Sequence, residues 1–476
     1  MEDRRIADLL ILPACIVGLV TTANAQQPSS VPAAPQGVFA VSFIPGSHDV
    51  AGRFMGGTEM RVLAVHAGRL YAGNGYWEDR PGPEGLQGAQ ILVLDGPGAR
   101  WRVDHDFDER MPDGRPRDLA VSALEEATFA TDGGGARLPT SVSLLIAANW
   151  DLTGTARVFS RDDATGAWVG ASLAQDRPTP GFLPQVRSLG RHRDRVTGID
   201  HVFAGQDPRG IFSGAYDPAA PGHIRWTAAP ELDLSGVSAA GLSGRNAQLR
   251  VSSFAECNGR LYAAIGQQIY ERTDGAVPQW RLVYTNCYPG HSETGLRGLT
   301  AISGPSGEVL LAAVEGSAAR LVRVDPRDGS EVTELDLADF LDTAWGMRVG
   351  YVIAAYNDMA KTGDAGGGEP LLIGLEAFVR LSAPIAAGHG GVNVGYGRLE
   401  AGGWYLVRHP GGRYDLRQVA APSGRPLVAT RSIRVSPFPQ ERDAVYLAGY
   451  DANKVPAHDT AWIMRSSIGG AIGAAR

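Results

Sequence analysis

The stretch Leu249-Arg-Val-Ser-Ser-Phe-Ala-Glu256-Cys-Asn258-Gly259-Arg260-Leu-Tyr-Ala-Ala-Ile265-Gly-Gln-Gln268-Ile-Tyr-Glu-Arg272-Thr-Asp274-Gly275-Ala-Val-Pro-Gln-Trp280-Arg-Leu-Val-Tyr-Thr285 decides the fold. Leu249 to Glu256 reads as a strand, and Asn258-Gly259 as a hairpin turn that favours type I′ geometry. Arg260 to Ile265 is a second strand and Gln268 to Arg272 a third. Asp274-Gly275 turns the chain again, and Trp280 to Thr285 is the fourth strand. Four antiparallel strands in sequence make one small sheet that cannot bury both of its faces alone.

Working outward, the second strand of this unit ends in the small pair Ala263-Ala264. Equivalent pairs recur as Ala72-Gly73, Ala147-Ala148, Ala204-Gly205, Ala312-Ala313, Ile373-Gly374 and Ala448-Gly449. Their spacing of roughly 50 to 75 residues suits four strands plus loops, the repeat of a β-propeller blade. The third-strand turn and fourth strand recur as Asp95-Gly…Trp101, Asp163…Trp168 and Asp217…Trp226. These tryptophans are expected to fill the space between blades. The last repeat has first, second and third strands near Arg434 to Pro437, Ala444 to Tyr450 and Ala461 to Arg465, then no fourth. Val38 to Ile44 is a strand without a blade, and joining the two closes the ring and removes its edges. The expectation is an all-β, seven-bladed propeller of four-stranded antiparallel blades over residues 37–468. An N-terminal strand would lie in the last blade. Residues 26–36 would form a flexible segment and 469–476 a tail.

The first residues read as an export signal. Leu9 to Val20 is apolar apart from Pro13, and Ala23-Asn24-Ala25 is a small-x-small cleavage site. Residues 1–25 are therefore expected to be removed, giving a soluble periplasmic or secreted form. Leu12-Pro-Ala-Cys15 has the outline of a lipobox, but the apolar run before it is short. No other stretch reaches the ~20 apolar residues of a membrane span. The signal carries −1 of the chain's net charge of −7, leaving −6, which speaks against nucleic acid as a partner. A monomer is expected. Cys257 sits at the turn after the innermost strand of the fourth blade, and Cys287 follows its outermost strand. Three steps of ~4.8 Å separate those strands, too far for a disulfide.

An arginine stands near the start of each innermost strand: Arg61, Arg117, Arg187, Arg250, Arg297, Arg348 and Arg434. Converging guanidinium groups would suit carboxylate, sulfate or phosphate. Glu59, Asp118, Asp207, Glu256, Glu293, Glu315, Glu376 and Asp451 could instead neutralise them in salt bridges. Arg250, Arg297 and Arg348 are the members expected to lack protein partners. Loop residues Tyr76, Trp77 and Glu78, with Asn74, Asn149, Asp151 and Gln206, offer the mixture of rings, amides and carboxylates that suits sugars, and equally suits turns. A Gly-rich insertion between Glu376 and Trp404 carries Arg380, His389, Asn393, Tyr396 and Arg398; loops of that length are usually functional. His291 lies near Glu293, and His458 lies beside Asp459. These four, with Asp451, are candidates for proton transfer or metal ligation. The many acids also allow a divalent cation such as calcium in the central channel. There is no Gly-x-Ser-x-Gly elbow, His-Glu-x-x-His or phosphate loop.

Over residues 37–468 this repeat and hairpin pattern resembles secreted seven-bladed β-propellers, a likeness of fold rather than of one family. Ser160-Arg-Asp162-Asp-Ala-Thr-Gly166-Ala-Trp168 loosely resembles the Asp-box hairpin of sialidases, with two extra residues before Gly166. Polysaccharide lyases of propeller fold imply an Arg or metal on a uronate carboxylate. His or Tyr would then move protons, which His291, His458 and Tyr396 could do. Gluconolactonase-like propellers imply a divalent metal, which Glu59, Asn149 and Asp451 could hold. The expected function is binding, with or without lyase or hydrolase cleavage, of an anionic carbohydrate or similar acidic ligand. Arg250, Arg297, Arg348, Tyr76, Trp77, Tyr396 and His389 would contact it. A non-catalytic ligand- or protein-binding scaffold and a metal-dependent lactonase or esterase are the alternatives.

Overall fold

The computed structural model describes residues 39–473 except 77–84, 86, 177–183, 236–248, 287–294, 357–358, 364–369, 380–397, 400–401, 420–426 and 451–458. The fold is almost wholly antiparallel β-structure, arranged as successive four-stranded meanders. The first comprises Glu59–His66, Arg69–Gly75, Gln90–Leu94 and Arg102–Asp106. Asp118–Thr131, Arg137–Asp151, Thr155–Arg161 and Trp168–Gln175 form the second. Gln185–Arg193, Asp200–Asp207, Gly210–Tyr216 and Ile224–Trp226 form the third. The fourth, Val251–Cys257, Arg260–Ile265, Gln268–Thr273 and Gln279–Thr285, falls where its sequence places it. Its hairpin has positive φ at both Asn258 (49°) and Gly259 (68°), as type I′ requires. Leu296–Gly304, Gly307–Val314, Arg320–Val324 and Glu331–Asp336 follow as the fifth. The sixth has an interrupted first strand, Val349–Ala354 then Ala360–Lys361, followed by Leu371–Val379, Trp404–Arg408 and Tyr414–Gln418.

The last meander comprises Ala429–Val435, Ala444–Tyr450 and Trp462–Ser467, and Phe39–Phe43 pairs antiparallel with the third of these. Its first strand begins earlier than the sequence pattern suggests, at Ala429 rather than near Arg434. Within the stretch read as a tail, Ile468–Ile472 is a short helix. Ser467 caps its start, and its Ile468 and Ala471 are buried. A second helix, Leu337–Trp345, is capped by Asp336 and lies between the fifth and sixth meanders. Cys257 is buried and carries a free thiol, while Cys287 lies outside the described residues.

The first strands of neighbouring meanders lie side by side, and the small pairs explain how closely. A Cβ built on Gly73 would stand 2.6 Å from the Val121 side chain, and one on Gly205 2.5 Å from Val251. On Gly374 it would stand 2.3 Å from the carbonyl oxygen of Thr430. Each obstacle belongs to the first strand of the next meander. Serines fasten the same strands together. The Ser122, Ser188 and Ser252 hydroxyls donate to the carbonyls of Val186, Val251 and Leu296 at 2.5, 2.7 and 2.8 Å. Ser432 accepts from the Leu63 N–H at 3.0 Å.

Further out, two histidine clamps join sheets in the same way. His66 meets Glu126 at 2.7 Å and Asp163 at 2.8 Å, both in the next meander. His192 meets Glu256 at 2.6 Å and Asp274 at 3.0 Å, again in the next meander. Asp163 and Asp274 are the turn acids read from the sequence. Each is also held by the arginine two residues before it, Arg161 or Arg272. Those arginines reach back to Asp104 and to Glu231 in the preceding meander, as do the indole N–H groups of Trp168 and Trp280. The tryptophans therefore pack between sheets and also bind their acids.

Two outcomes are expected. Gly374→Ala drives a methyl into a backbone oxygen and should cost about 1–3 kcal/mol or more. Gly96→Ala, with open space around it, should stay within about 0.5 kcal/mol; urea unfolding of both variants checks this. Second, burial lowers the His66 pKa, but its bonds to Glu126 and Asp163 outweigh burial and raise it above 6.5. The clamp's contribution is then complete below about pH 6.5 and is lost as pH rises through the raised folded value. The difference in unfolding midpoint between the wild type and His66→Gln should shrink as pH increases.

Candidate functional site

Opposite the second residue of the small pairs, the first strands carry a residue too many. Arg61, Ser122, Arg187, Ser252 and Arg431 each sit in such a register shift, and Arg297-Gly298 do so together. In the sixth meander the interruption is longer. Ala354 pairs with Leu375 and Ala360 with Leu372, so the first strand is interrupted opposite Ile373-Gly374. A bulge bends the strand and re-aims its side chain. Here the bulges place Arg61, Arg187, Arg297 and Arg431 around Tyr356, which projects from the sixth.

Each of these four arginines has a carboxylate. Arg61 lies 3.6 Å from Glu59, Arg187 3.1 Å from Asp207 and Arg297 2.5 Å from Glu315. Arg431 bridges Glu59 at 2.8 Å and Glu376 at 2.7 Å. The second Glu376 oxygen accepts the Tyr450 hydroxyl, and Asp207 also accepts the Val251 N–H. Burial holds the Asp207 and Glu376 carboxyls above the usual carboxylate range in spite of their arginines.

Tyr356 is the centre of the cluster. Its phenol oxygen accepts from Arg61 at 3.0 Å and from Arg187 at 3.5 Å. Its ring lies 4.1 Å from the Arg431 guanidinium and 5.3 Å from that of Arg297, both cation–π distances. Burial alone would raise the phenol's pKa. Arg61, Arg187 and Arg431 overcome it and draw the pKa down to about 7.

Arg250 joins this group from just before the fourth meander. It is half-buried, and its Nε has no hydrogen-bond partner. No ion pair to it exists among the described residues. Burial, with Arg187 and Arg297 near, drives its guanidinium down to about 10. A cavity of about 280 Å³ runs along the first strands, lined by Val62, Leu124, Arg187, Ser253, Glu256 and Arg434.

Of the arginines read from the sequence, Arg61, Arg187, Arg250 and Arg297 come together. Arg297 is paired, unlike the expectation for it. Arg434 lies along the cavity, and Arg431 takes the place assigned to it. Arg117 pairs with Asp151 at 2.9 Å and with Glu109, outside the cluster. Arg348 is exposed ahead of Val349–Ala354. Tyr76 is buried, and its backbone N–H donates to Leu119. His291, Glu293, His458, Asp451, Trp77, Tyr396 and His389 lie outside the described residues. Of the possible cation ligands, Glu59 is taken up by Arg61 and Arg431. Among the described residues no three metal-binding side chains cluster. Sequence reasoning missed Arg431 and Tyr356. The Arg-Ser step shared by Arg187-Ser188 and Arg431-Ser432 was the available signal for the former; Tyr356 has none.

No family model and no curated protein matches the chain. Among solved structures it is similar to an ancestral GH74 enzyme, with 12% identity and a TM-score of 0.50. That alignment covers 90% of this chain and 51% of the other, so the chain spans about half the length of that enzyme. A candidate exo-β-1,3-galactanase from Bifidobacterium bifidum s17 aligns at 14% identity and a TM-score of 0.30, over 62% and 95% of the two chains. YCF48 bound to D1 peptide aligns at 10% and 0.42, over 92% and 99%. At such identities the likeness is one of fold alone, and the fold is of the β-propeller type.

Proposed function

We propose that the meanders are seven blades of one closed ring, with Phe39–Phe43 completing the last, and that the arginine-lined mouth binds an anionic carbohydrate or similar acidic ligand. Arg250 carries this reading. It is a half-buried guanidinium between two others, without a carboxylate of its own among the described residues. An incoming carboxylate or sulfate would supply that missing charge in a charge-assisted, two-point contact. Export with cleavage after Ala25 belongs to the same reading, because an acidic polysaccharide would be met outside the cytoplasm. Where the ligand is cleaved, His291, Glu293, His458 and Asp451 are the proposed proton-transfer groups. A non-catalytic scaffold is the second reading. It is favoured by the pairing of Arg61, Arg187, Arg297 and Arg431, which leaves only part of the ring free for a ligand.

The test is calorimetric titration of the full chain with oligogalacturonate. Binding should weaken as salt rises from about 50 mM to about 300 mM. Arg250→Ala should lower affinity about tenfold, worth about 1.4 kcal/mol, while leaving the unfolding midpoint nearly unchanged. Arg297→Ala should chiefly lose stability, because it strands Glu315 in the interior. Equal affinity of wild type and Arg250→Ala would count against the site.

A further inference from the structure

Four arginines surround Tyr356 and a fifth, Arg250, lies near Arg187 and Arg297; together they outnumber their carboxylates. Arg61, Arg187, Arg250, Arg297 and Arg431 face Glu59, Asp207, Glu315 and Glu376. The second meander approaches through Trp150 at 5.2 Å from Arg61, and its carboxylates are held by its own arginines. Its Arg117 and Arg157 bind Glu109, Asp118 and Asp151. The remaining phenols of the cluster, Tyr351 and Tyr450, have pKa values raised by burial and stay neutral. Among the guanidinium groups themselves stands Tyr356, whose oxygen already accepts from two of them.

We infer that Tyr356 serves as the ring's own anion when no ligand is bound, and that an acidic ligand entering beside Arg250 makes it take up a proton. This rests on the acidic-ligand reading and adds its regulation. The step is a protonation alone: the phenolate oxygen gains a proton from buffer, no covalent bond to the ligand forms, and the ligand takes over the negative charge. Both anions together would overfill the site. Two like charges ~4 Å apart repel by about 4 kcal/mol at the effective dielectric of a partly buried pair. The depressed affinity of Arg250 for its proton, caused by burial and by Arg187 and Arg297, is consistent with a local excess of positive charge. Binding should therefore tighten as pH falls through neutrality, up to tenfold per pH unit where one proton is taken up.

The experiment has two arms, both on the full chain. Without ligand, the near-ultraviolet tyrosinate band is followed against pH. One tyrosine should ionise near neutrality in the wild type and none in Tyr356→Phe. A wild-type chain in which every tyrosine ionises in the ordinary range near 10 would overturn the inference without touching the binding reading. With oligogalacturonate, calorimetry in buffers of different ionisation enthalpy counts protons. Uptake approaching one proton per ligand, lost in Tyr356→Phe, is expected. Tight binding with no proton uptake would overturn the coupling and leave the binding site standing. Failure to bind, with Tyr356 ionised, would sink both the acidic-ligand reading and the coupling and leave Tyr356 as an internal counter-ion only. Should Tyr356→Phe not fold, the wild-type absorbance titration and proton count still decide.

Discussion

Neighbouring sheets in this protein approach until backbone meets backbone, and the rest of the structure is arranged around that contact. Gly374 faces the Thr430 carbonyl, and Gly73 and Gly205 face valines of the next first strand, with no room for a further carbon. Sheets held this close can share hydrogen bonds through short side chains, which is how Ser122, Ser188, Ser252 and Ser432 are used. The facing strands bulge opposite the same small residues. The bulges re-aim their side chains, bringing Arg61, Arg187 and Arg431 to Tyr356 and letting Ser122 and Ser252 reach the next strand's carbonyls. Packing geometry thus decides where the polar chemistry is placed.

Placing guanidinium and carboxylate groups in that interior is costly. Each buried ion gives up several kcal/mol of hydration, and only good pairing returns it. The cluster meets this by giving Arg187, Arg297 and Arg431 carboxylates at 2.5 to 3.1 Å. Arginine suits the task better than lysine because its planar fork can satisfy a carboxylate and lie on an aromatic ring together. Arg431 does both, spanning two glutamates while stacking on Tyr356 and Tyr450. Such a network favours stability for its paired members. Within the cluster, the described arginine without an ion pair is Arg250.

The meanders were legible because their signals are local. The turn at Asn258-Gly259, the small pairs and the Asp-to-Trp hairpins all depend on residues close together in the chain. The fourth unit, Val251–Cys257 to Gln279–Thr285, lies within two residues of its reading. Ring membership depends on register across strands, which a one-residue bulge shifts without any local mark. That is why Arg434 was read where Arg431 stands. Tyr356 was hidden for a related reason. It stands in an interruption of the sixth first strand, so no repeat predicts it. The long arms Asp118–Thr131 and Arg137–Asp151 gave no sign in the sequence of how far they extend. The helix Leu337–Trp345, two and a half turns long, is too short for its 3.6-residue period to stand out among period-two strands.

The pairing of Phe39–Phe43 with Trp462–Ser467 joins the two ends of the described chain. Closing so long a loop forfeits more chain entropy than any hairpin in the molecule. During synthesis this strand emerges before all the meanders, yet its partner emerges only after the others. Until then Phe39-Ala-Val-Ser-Phe43 is an apolar strand with no sheet to join, and Trp462–Ser467 has an open edge when it arrives. The meanders between can mature in order, each on its predecessor, while the first strand waits. Its docking is a late, non-local event, and the waiting segment is the part of the nascent chain most in need of protection from misplaced pairing.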